Sequence, residues 1–390
     1  MSSPEPRASG PALTVRLANA RELETWDDLT VHPGGGHVLQ SMAWARHRAA
    51  MGWRPHHLVL SDGSAALALE RPWPVIGGGG VYIPRGPIPA GDAGTMAARV
   101  DALATWLGAH GVDVVATDAE VPAASGYGAR LAERRFHPIE EFQPSRHRYT
   151  LPLGEGADEG AIFAGVAKST RQRIRSAERD GITVVRHDAA LTAPVPGAPA
   201  ATADPGDGFS APGASPADAS DAALDRFYDL LLATGERRGF GFGPRPRALA
   251  WWRAALAARL LVLLEARSPD GAVIAGLILY RHGGRLSTVH SADDAASRVL
   301  HPGALHLLRW RAIQLAIREG CAEMDLGGVD LVGSRHEPRP GEPMYGLAEH
   351  KRAFGAVWLE LTGAHERVLR PWRYAVGRAA ARLMRTRSRG

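Results

Sequence analysis

Two periods of apolar residues take turns along this chain. From Leu39 to Trp53, "LQSMAWARHRAAMGW" carries its apolar residues at helical spacing, whereas "HHLVLSD" and "AALALERPW" read as the arms of a hairpin turning at Asp62-Gly63. "GGGGVYIPRGPI" supplies a strand that runs into Pro and Gly. "AARVDALATWLGAHG" follows as an amphipathic helix closed by Gly111, and "VDVVATDAE" as a buried strand. Helix and strand thus alternate over residues 12–150, the pattern of an α/β or α+β layer fold.

The pattern restarts at "AKSTRQRIRSAERDGITVV" (Ala167–Val185), a helix that leads through Asp180-Gly181 into the strand "ITVVRH". Residues 188–222 are dominated by Ala, Pro, Gly, Ser and Asp, contain no Lys or Arg, and read as a flexible insertion. Beyond it come the helices "AALDRFYDLLLATGERRG" and "RALAWWRAALAA", then the strand "RLLVLLEAR" and the pair in "AVIAGLILYRHGGRLSTVHSA", turning at His282-Gly283-Gly284. The helix "GALHLLRWRAIQLAIREG", closed by Gly320, and the strand "CAEMDLGG" complete the unit. Both halves run helices, a strand meander, then helix and strand. A structural duplication is expected, although no sequence repeat is visible.

Composition changes this picture little. The 390 residues are 45% hydrophobic and 22% charged, ordinary values for a globular protein of two or three cores. The net charge of +5 favours anionic partners where it is clustered. A single cysteine, Cys321, fits a reducing compartment. The start, "MSSPEPRASGPA", reads as a disordered leader over residues 1–11 rather than a signal peptide, and no apolar run approaches the length of a membrane span. A cytoplasmic protein is expected, at most attached to a membrane surface.

Charge is clustered in two places. In the Ala167–Val185 stretch, Lys168, Arg171, Arg175 and Arg179 fall on one helical side, with Ile162, Phe163, Val166, Ile174 and Ala177 on the other. Such a stripe fits a solvated surface and also the spacing of a phosphate backbone. The end, "ERVLRPWRYAVGRAAARLMRTRSRG", holds eight arginines against Glu366, with Trp372, Val376, Ala379 and Leu383 at helical spacing. It reads as a basic amphipathic helix, docked with its arginines solvated or in contact with anionic lipid head groups. Walker loops, nucleophile elbows, metalloprotease helices and paired-cysteine zinc motifs are all missing, and the sixteen histidines are scattered, so no metal site is expected. The coenzyme A pyrophosphate loop R/Q-x-x-G-x-G/A is also missing. "RVLHPGALHLL", in the corresponding place, keeps one glycine, which argues against ordinary acetyl transfer.

Six segments, in order, carry a resemblance. "LQSMAWARHRAAMGW" is similar to Q-S-x-x-W-x-x-x-K…G-W, and "YIPRGPI" to a Y-x-x-x-G-P strand end. "VAKSTRQRIRSAERDGITV" resembles K-x-x-R-x-x-I-R-x-A-x-x-x-G, and "YDLLLATGERRGF" resembles Y-x-x-x-x-x-R-x-G. "DLGGVD" together with "YGLAEHKRAFG" is close to D-x-G-G-I…G-L-x-x-F-K-x-x-F-G. Over roughly residues 35–375 the chain thereby resembles the FemABX family, which attaches amino acids from aminoacyl-tRNA to peptidoglycan precursors.

The resemblance implies two GNAT-like domains, residues 12–150 and 151–355, with 356–390 returning to the first. No heptad run marks a coiled-coil arm, so an armless monomer is expected. The reaction implied is attack by a stem-peptide amine of lipid II or a UDP-linked muropeptide on the ester of aminoacyl-tRNA, with tRNA as co-substrate and no other cofactor. A GNAT-type transfer from acyl-CoA or aminoacyl-tRNA to a small molecule or polysaccharide is the alternative. Lys351 matches the family lysine that stabilises the tetrahedral oxyanion, although by residue type alone a lysine beside Arg352 near a helix is usually a surface residue. His350 stands where the family has Phe. Arg46 and Arg237 match cations that hold the diphosphate of the precursor, and Arg85 joins this substrate-binding set. As a residue type, Arg46 also suits a solvated helix. Asp118 matches a carboxylate near the acceptor amine, or caps a turn. Asp325 is expected to fix the backbone beside Gly327 and Gly328. Lys168, Arg171, Arg175 and Arg179 are the expected tRNA contacts.

Overall fold

The computed structural model describes residues 13–74, 77–154, 156–188 and 216–387. The chain divides into two compact units: residues 1–31, 39–142 and 362–390 form one, and 32–38 with 143–361 the other. The leader at 1–11 and most of the expected insertion lie outside the described residues. The ends of that insertion do not. Asp188 is an ion-pair partner of Arg186 and Arg281, with Arg281 Nη2 at 2.6 Å. At the far end the helix Pro216–Arg238 begins within the stretch, and Ser220 is buried. The alanines that made this segment look featureless are also the best helix formers.

The first unit contains β1 (Val15–Leu17), β2 (Arg54–Leu60), β3 (Ala65–Pro72), β4 (Gly79–Ile83), β5 (Val114–Thr117) and β6 (His137–Pro138). The second contains β7 (Arg148–Pro152), β8 (Thr183–His187), β9 (Leu261–Arg267), β10 (Val273–His282), β11 (Arg285–Asp293), β12 (Glu323–Asp325) and β13 (Val357–Leu359). The last strand, β14 (His365–Val368), belongs to the first sheet.

The sheets read β1-β2-β3-β4-β5-β14-β6 and β8-β9-β10-β11-β12-β7-β13, taking the second from its β8 edge. In both, an antiparallel meander of four strands ends in a parallel pair, β4 with β5 and β11 with β12. Parallel neighbours need a crossover, and each pair has one on a helix: Ala93–Ala109 and Ala304–Arg318. The sixth place differs. In the first sheet it is filled by β14, and in the second by β7, each from the chain segment that follows the other unit's strands. Order and strand sense match position for position, which is the duplication that element order alone pointed to. The return to the first unit falls at Thr362, because β13 still pairs with β7.

Each crossover helix buries its apolar face on its own sheet. Met96, Val100, Leu103 and Leu107 pack with Val81, Ile83 and Val115 in the first unit. Leu307, Leu308, Ile313 and Leu315 pack with Leu264, Leu277 and Met324 in the second. Full burial of each such side chain contributes roughly 1.5–3 kcal/mol.

The C-terminal helix Pro371–Arg387 is held to the first unit by polar contacts. The buried Asp113 carboxylate accepts from Trp73 Nε1 at 2.9 Å and Arg373 Nε at 3.0 Å, and Arg370 Nη1 lies at 3.5 Å. Gly377 rests on the Trp73 ring, where a Cβ would come within 2.5 Å. The helix therefore docks by its Arg373–Gly377 side. Trp372 and Val376, from the apolar stripe, face outward at 68% and 46% exposure.

Candidate active site

In the second unit, Asp325 ends β12 and accepts from the Gly327 N–H at 2.7 Å, closing a tight turn. Gly327 has φ +77°, a left-handed conformation that glycine adopts without penalty. Gly328 has no room for a side chain: a Cβ there would lie 2.2 Å from Ser145 Cβ and 2.4 Å from the His147 carbonyl. This turn presents two carbonyls to one side chain. Lys351, on the helix Tyr345–Arg352, donates from Nζ to the Gly327 carbonyl at 2.8 Å and the Gly328 carbonyl at 2.9 Å.

Lys351 is only 4% exposed. Burial pushes its pKa well below the ordinary lysine value and the nearby Arg309 guanidinium adds to this, while Asp325 and Asp330 oppose it. An ammonium has three N–H donors, so two carbonyl contacts leave one uncommitted. Arg352, next in sequence, is oppositely placed: it pairs with Glu337 at 2.7 Å and Glu349 at 2.6 Å. By residue type alone Lys351 was expected at the surface, and the helix instead turns it inward and Arg352 outward.

His350 is half-buried and accepts from Arg309 Nε through Nε2 at 3.2 Å, which places the imidazole proton on Nδ1. Burial, then Arg309 and His306, push its pKa down to about 2, so the ring is neutral. It packs edge-on against Phe354 at 5.3 Å.

The four cations lie on one helix, Lys168–Arg179, whereas Ile162 and Phe163 of the expected apolar side belong to a separate helix, Glu159–Gly165, which ends before Val166 and Ala167. Arg171 is not part of an outward stripe, because its Nη1 donates to the Ala164 and Val166 carbonyls and closes the end of the first helix. Arg175 lies over the Phe163 ring at 5.4 Å. Lys168, Arg175 and Arg179 keep exposed side chains. On the helix Pro216–Arg238, Arg237 pairs with the Asp293 carboxylate, which Arg298 Nε also meets at 2.8 Å.

The first unit holds the other three residues. Asp118 is wholly buried: it accepts from Tyr82 OH at 2.7 Å and the Arg85 N–H at 2.7 Å, with Arg85 Nε at 3.5 Å. Burial raises its pKa, and the Arg85 guanidinium opposes this. Asp118 is thus a strut that fixes Arg85, at φ +52°, and Tyr82. With no exposed oxygen, it does not have the geometry of a base open to a substrate amine. Arg46 is exposed on the helix Met42–Ala50. Gln40, in the same motif, bridges the Leu67 backbone and the Pro84 carbonyl, which explains that motif structurally.

Sequence reasoning passed over Arg309, His306 and Arg173. Their signal was present: His306 and Arg309 sit one turn apart inside the apolar run of a buried helix.

With this geometry established, the relatives are informative. A family model described as an acetyltransferase (GNAT) domain matches residues 211–352. Two GNAT-like domains and this match define the class: the protein is an acyltransferase. In fold it is similar to FemX, at TM-score 0.71 and 17% identity over 93% of this chain and 99% of that one. The likeness to FemABX read from short motifs therefore extends to the whole fold. A conserved protein of unknown function from Bacteroides thetaiotaomicron aligns at TM-score 0.53 and 13% identity, over 90% of this chain and 98% of that one. L-PGS from Bacillus licheniformis aligns at TM-score 0.49 and 13% identity, over 95% and 97%. No curated protein matches the chain in sequence.

Proposed function

We propose that the protein transfers an amino acid from aminoacyl-tRNA to the stem-peptide amine of a peptidoglycan precursor, either lipid II or a UDP-linked muropeptide. The observation that carries this reading is Lys351: a buried lysine whose Nζ is oriented by the Gly327 and Gly328 carbonyls and which, as the ammonium, keeps one N–H left over, in a GNAT-type domain. The missing coenzyme A loop at "RVLHPGALHLL" supports an acyl donor other than coenzyme A.

The amine nitrogen attacks the ester carbonyl, and the negative charge that develops on its oxygen is met by the free N–H of Lys351. Such a donor acts where charge appears in the transition state, and a water-poor site strengthens it. As the tetrahedral intermediate collapses, the C–O bond to the terminal ribose breaks and the ribose oxygen takes the amine proton. This step needs no protein base, which suits the strut geometry of Asp118. Arg46, Arg85 and Arg237 are assigned to the precursor, whose diphosphate suits guanidinium forks. Lys168, Arg175 and Arg179 are assigned to the tRNA.

The reading sets the enzyme in the cytoplasm, working as a monomer. No helix among the described residues is long and apolar enough to cross a membrane. The outward Trp372 and Val376, among the arginines of the C-terminal helix, support contact with an anionic membrane surface.

Incubation with a mixture of charged tRNAs and lipid-linked precursor, read by mass, tests the proposal. The expected product is the precursor plus one amino acid, lost on RNase treatment. The description of the family model favours one second reading, acyl transfer from coenzyme A, which would give RNase-insensitive product from acyl-CoA.

A further inference from the structure

Beside Lys351 lies a group of basic side chains that, among the described residues, meets no acid. The crossover helix Ala304–Arg318 places His306 and Arg309 one turn apart, the helix Lys168–Arg179 adds Arg173, and the helix Tyr345–Arg352 adds His350. Arg173 Nη1 lies 3.4 Å from His306 Nε2, Arg309 Nε donates to His350 Nε2 at 3.2 Å, and the two imidazoles meet edge-on at 4.7 Å. Arg309 is 4% exposed, and its buried Nη1 has no hydrogen-bond partner. Among the described residues, neither Arg309 nor Arg173 forms an ion pair, while most arginines of this unit do. Every titratable group against Arg309 is itself a base.

A buried guanidinium without an acid carries a desolvation penalty, and the hydrogen bond to the neutral His350 supplies no opposing charge. Burial lowers the Arg309 pKa only to about 10, so the charge persists at neutral pH. Burial and the neighbouring cations push His306 to about 4, leaving it neutral. The group is complementary to an anion, and Arg173 is its exposed member. Four nitrogen-bearing side chains from three helices suit a tetrahedral oxyanion better than a planar carboxylate, and Arg173 shares its helix with Lys168, Arg175 and Arg179.

We propose that Arg173, His306, Arg309 and His350 bind one phosphate group beside Lys351, and that its source is a phosphodiester at the acceptor end of the tRNA. The assignment to RNA rests on the aminoacyl-tRNA reading above; the anion site itself does not. Anion binding pairs the Arg309 charge, and it also raises the proton affinity of both histidines.

The test is NMR of histidine-labelled protein titrated with inorganic phosphate, with a CCA trinucleotide, and with adenosine as a phosphate-free control. Phosphate and trinucleotide are expected to shift the His306 and His350 ring signals and raise their protonation midpoints, the trinucleotide at lower concentration, and adenosine to do neither. Arg309→Met should weaken binding by at least about tenfold and Arg309→Lys by less. If Arg309→Met does not fold, Arg173→Met at the exposed end should show the same weakening. Unmoved histidine signals, or a folded Arg309→Met variant that binds like wild type, overturn the site. Binding of free phosphate but not of the trinucleotide overturns the RNA assignment. Trinucleotide binding by a protein that transfers no amino acid refutes the reaction and leaves the site standing.

Discussion

Replacing Lys351 by methionine keeps most of the apolar stem while removing the charge and all three donors. Two consequences separate cleanly. The Gly327 and Gly328 carbonyls lose a partner in a buried turn, and an unsatisfied buried polar group costs about 1–3 kcal/mol. Catalysis loses its oxyanion donor, which by comparison with other such donors costs about 10²–10³ in kcat, or about 2.7–4 kcal/mol. Thermal unfolding reads the first, and single-turnover transfer to the precursor reads the second. The two also respond to pH in opposite directions. Lys351 has a depressed native pKa, so the unfolded chain binds its proton more tightly than the native site does. Its contribution to stability is therefore lost at lower pH and rises from the depressed value up to the ordinary lysine pKa near about 10.4. Activity falls as pH rises through the depressed native value, at the start of that window, because only the ammonium carries the charge. Both pH dependences should vanish in Lys351→Met. A folded Lys351→Met variant with kcat within about threefold of wild type would refute the oxyanion role.

Gly328→Ala should destabilise the second unit by about 1–3 kcal/mol in denaturant unfolding, since the new Cβ meets Ser145 and the His147 carbonyl inside van der Waals distance. Transfer should fall with it, because the Lys351 acceptors move. Arg175→Glu with Arg179→Glu should weaken tRNA use and shallow its salt dependence without lowering the melting temperature, as measured by filter binding over a salt series. Arg171→Ala should instead lower the melting temperature, because it releases the carbonyls that close the preceding helix. Trp372→Asp should reduce sedimentation with anionic vesicles while leaving transfer to a soluble nucleotide-linked precursor unchanged.

Where the chain's chemistry is local, it was legible. The periods of two and 3.6 located the hairpins and both crossover helices, because burial of one face imposes them directly on residue choice. The Gly-Gly turn was equally plain, since backbone conformation and close approach leave no other residue room. Orientation within a helix was less so. Lys351 and Arg352 are adjacent cations, and residue type, unlike the motif resemblance, is silent on which one turns toward the carbonyls. Arg171 looked like its neighbours Lys168 and Arg175, yet its guanidinium reaches the carbonyls that end another helix. Ala217 to Asp221 read as linker because small residues lack a pattern, whereas helix propensity and the burial of Ser220 decide the segment.

The sequence by itself determined the element order, the duplication, the acyltransferase-like motifs and the cationic character of the Lys168–Arg179 helix. Tertiary structure alone decided which strand fills the sixth place of each sheet, since β7 and β14 are short and their pairing depends on partners distant in sequence. It also decided the surroundings of Arg309 and Lys351. Charge is a property of the residue, but the absence of a counter-charge is a property of everything packed around it. Only the fold brings Arg173, His306 and His350 to one place and keeps every acid out of contact with Arg309.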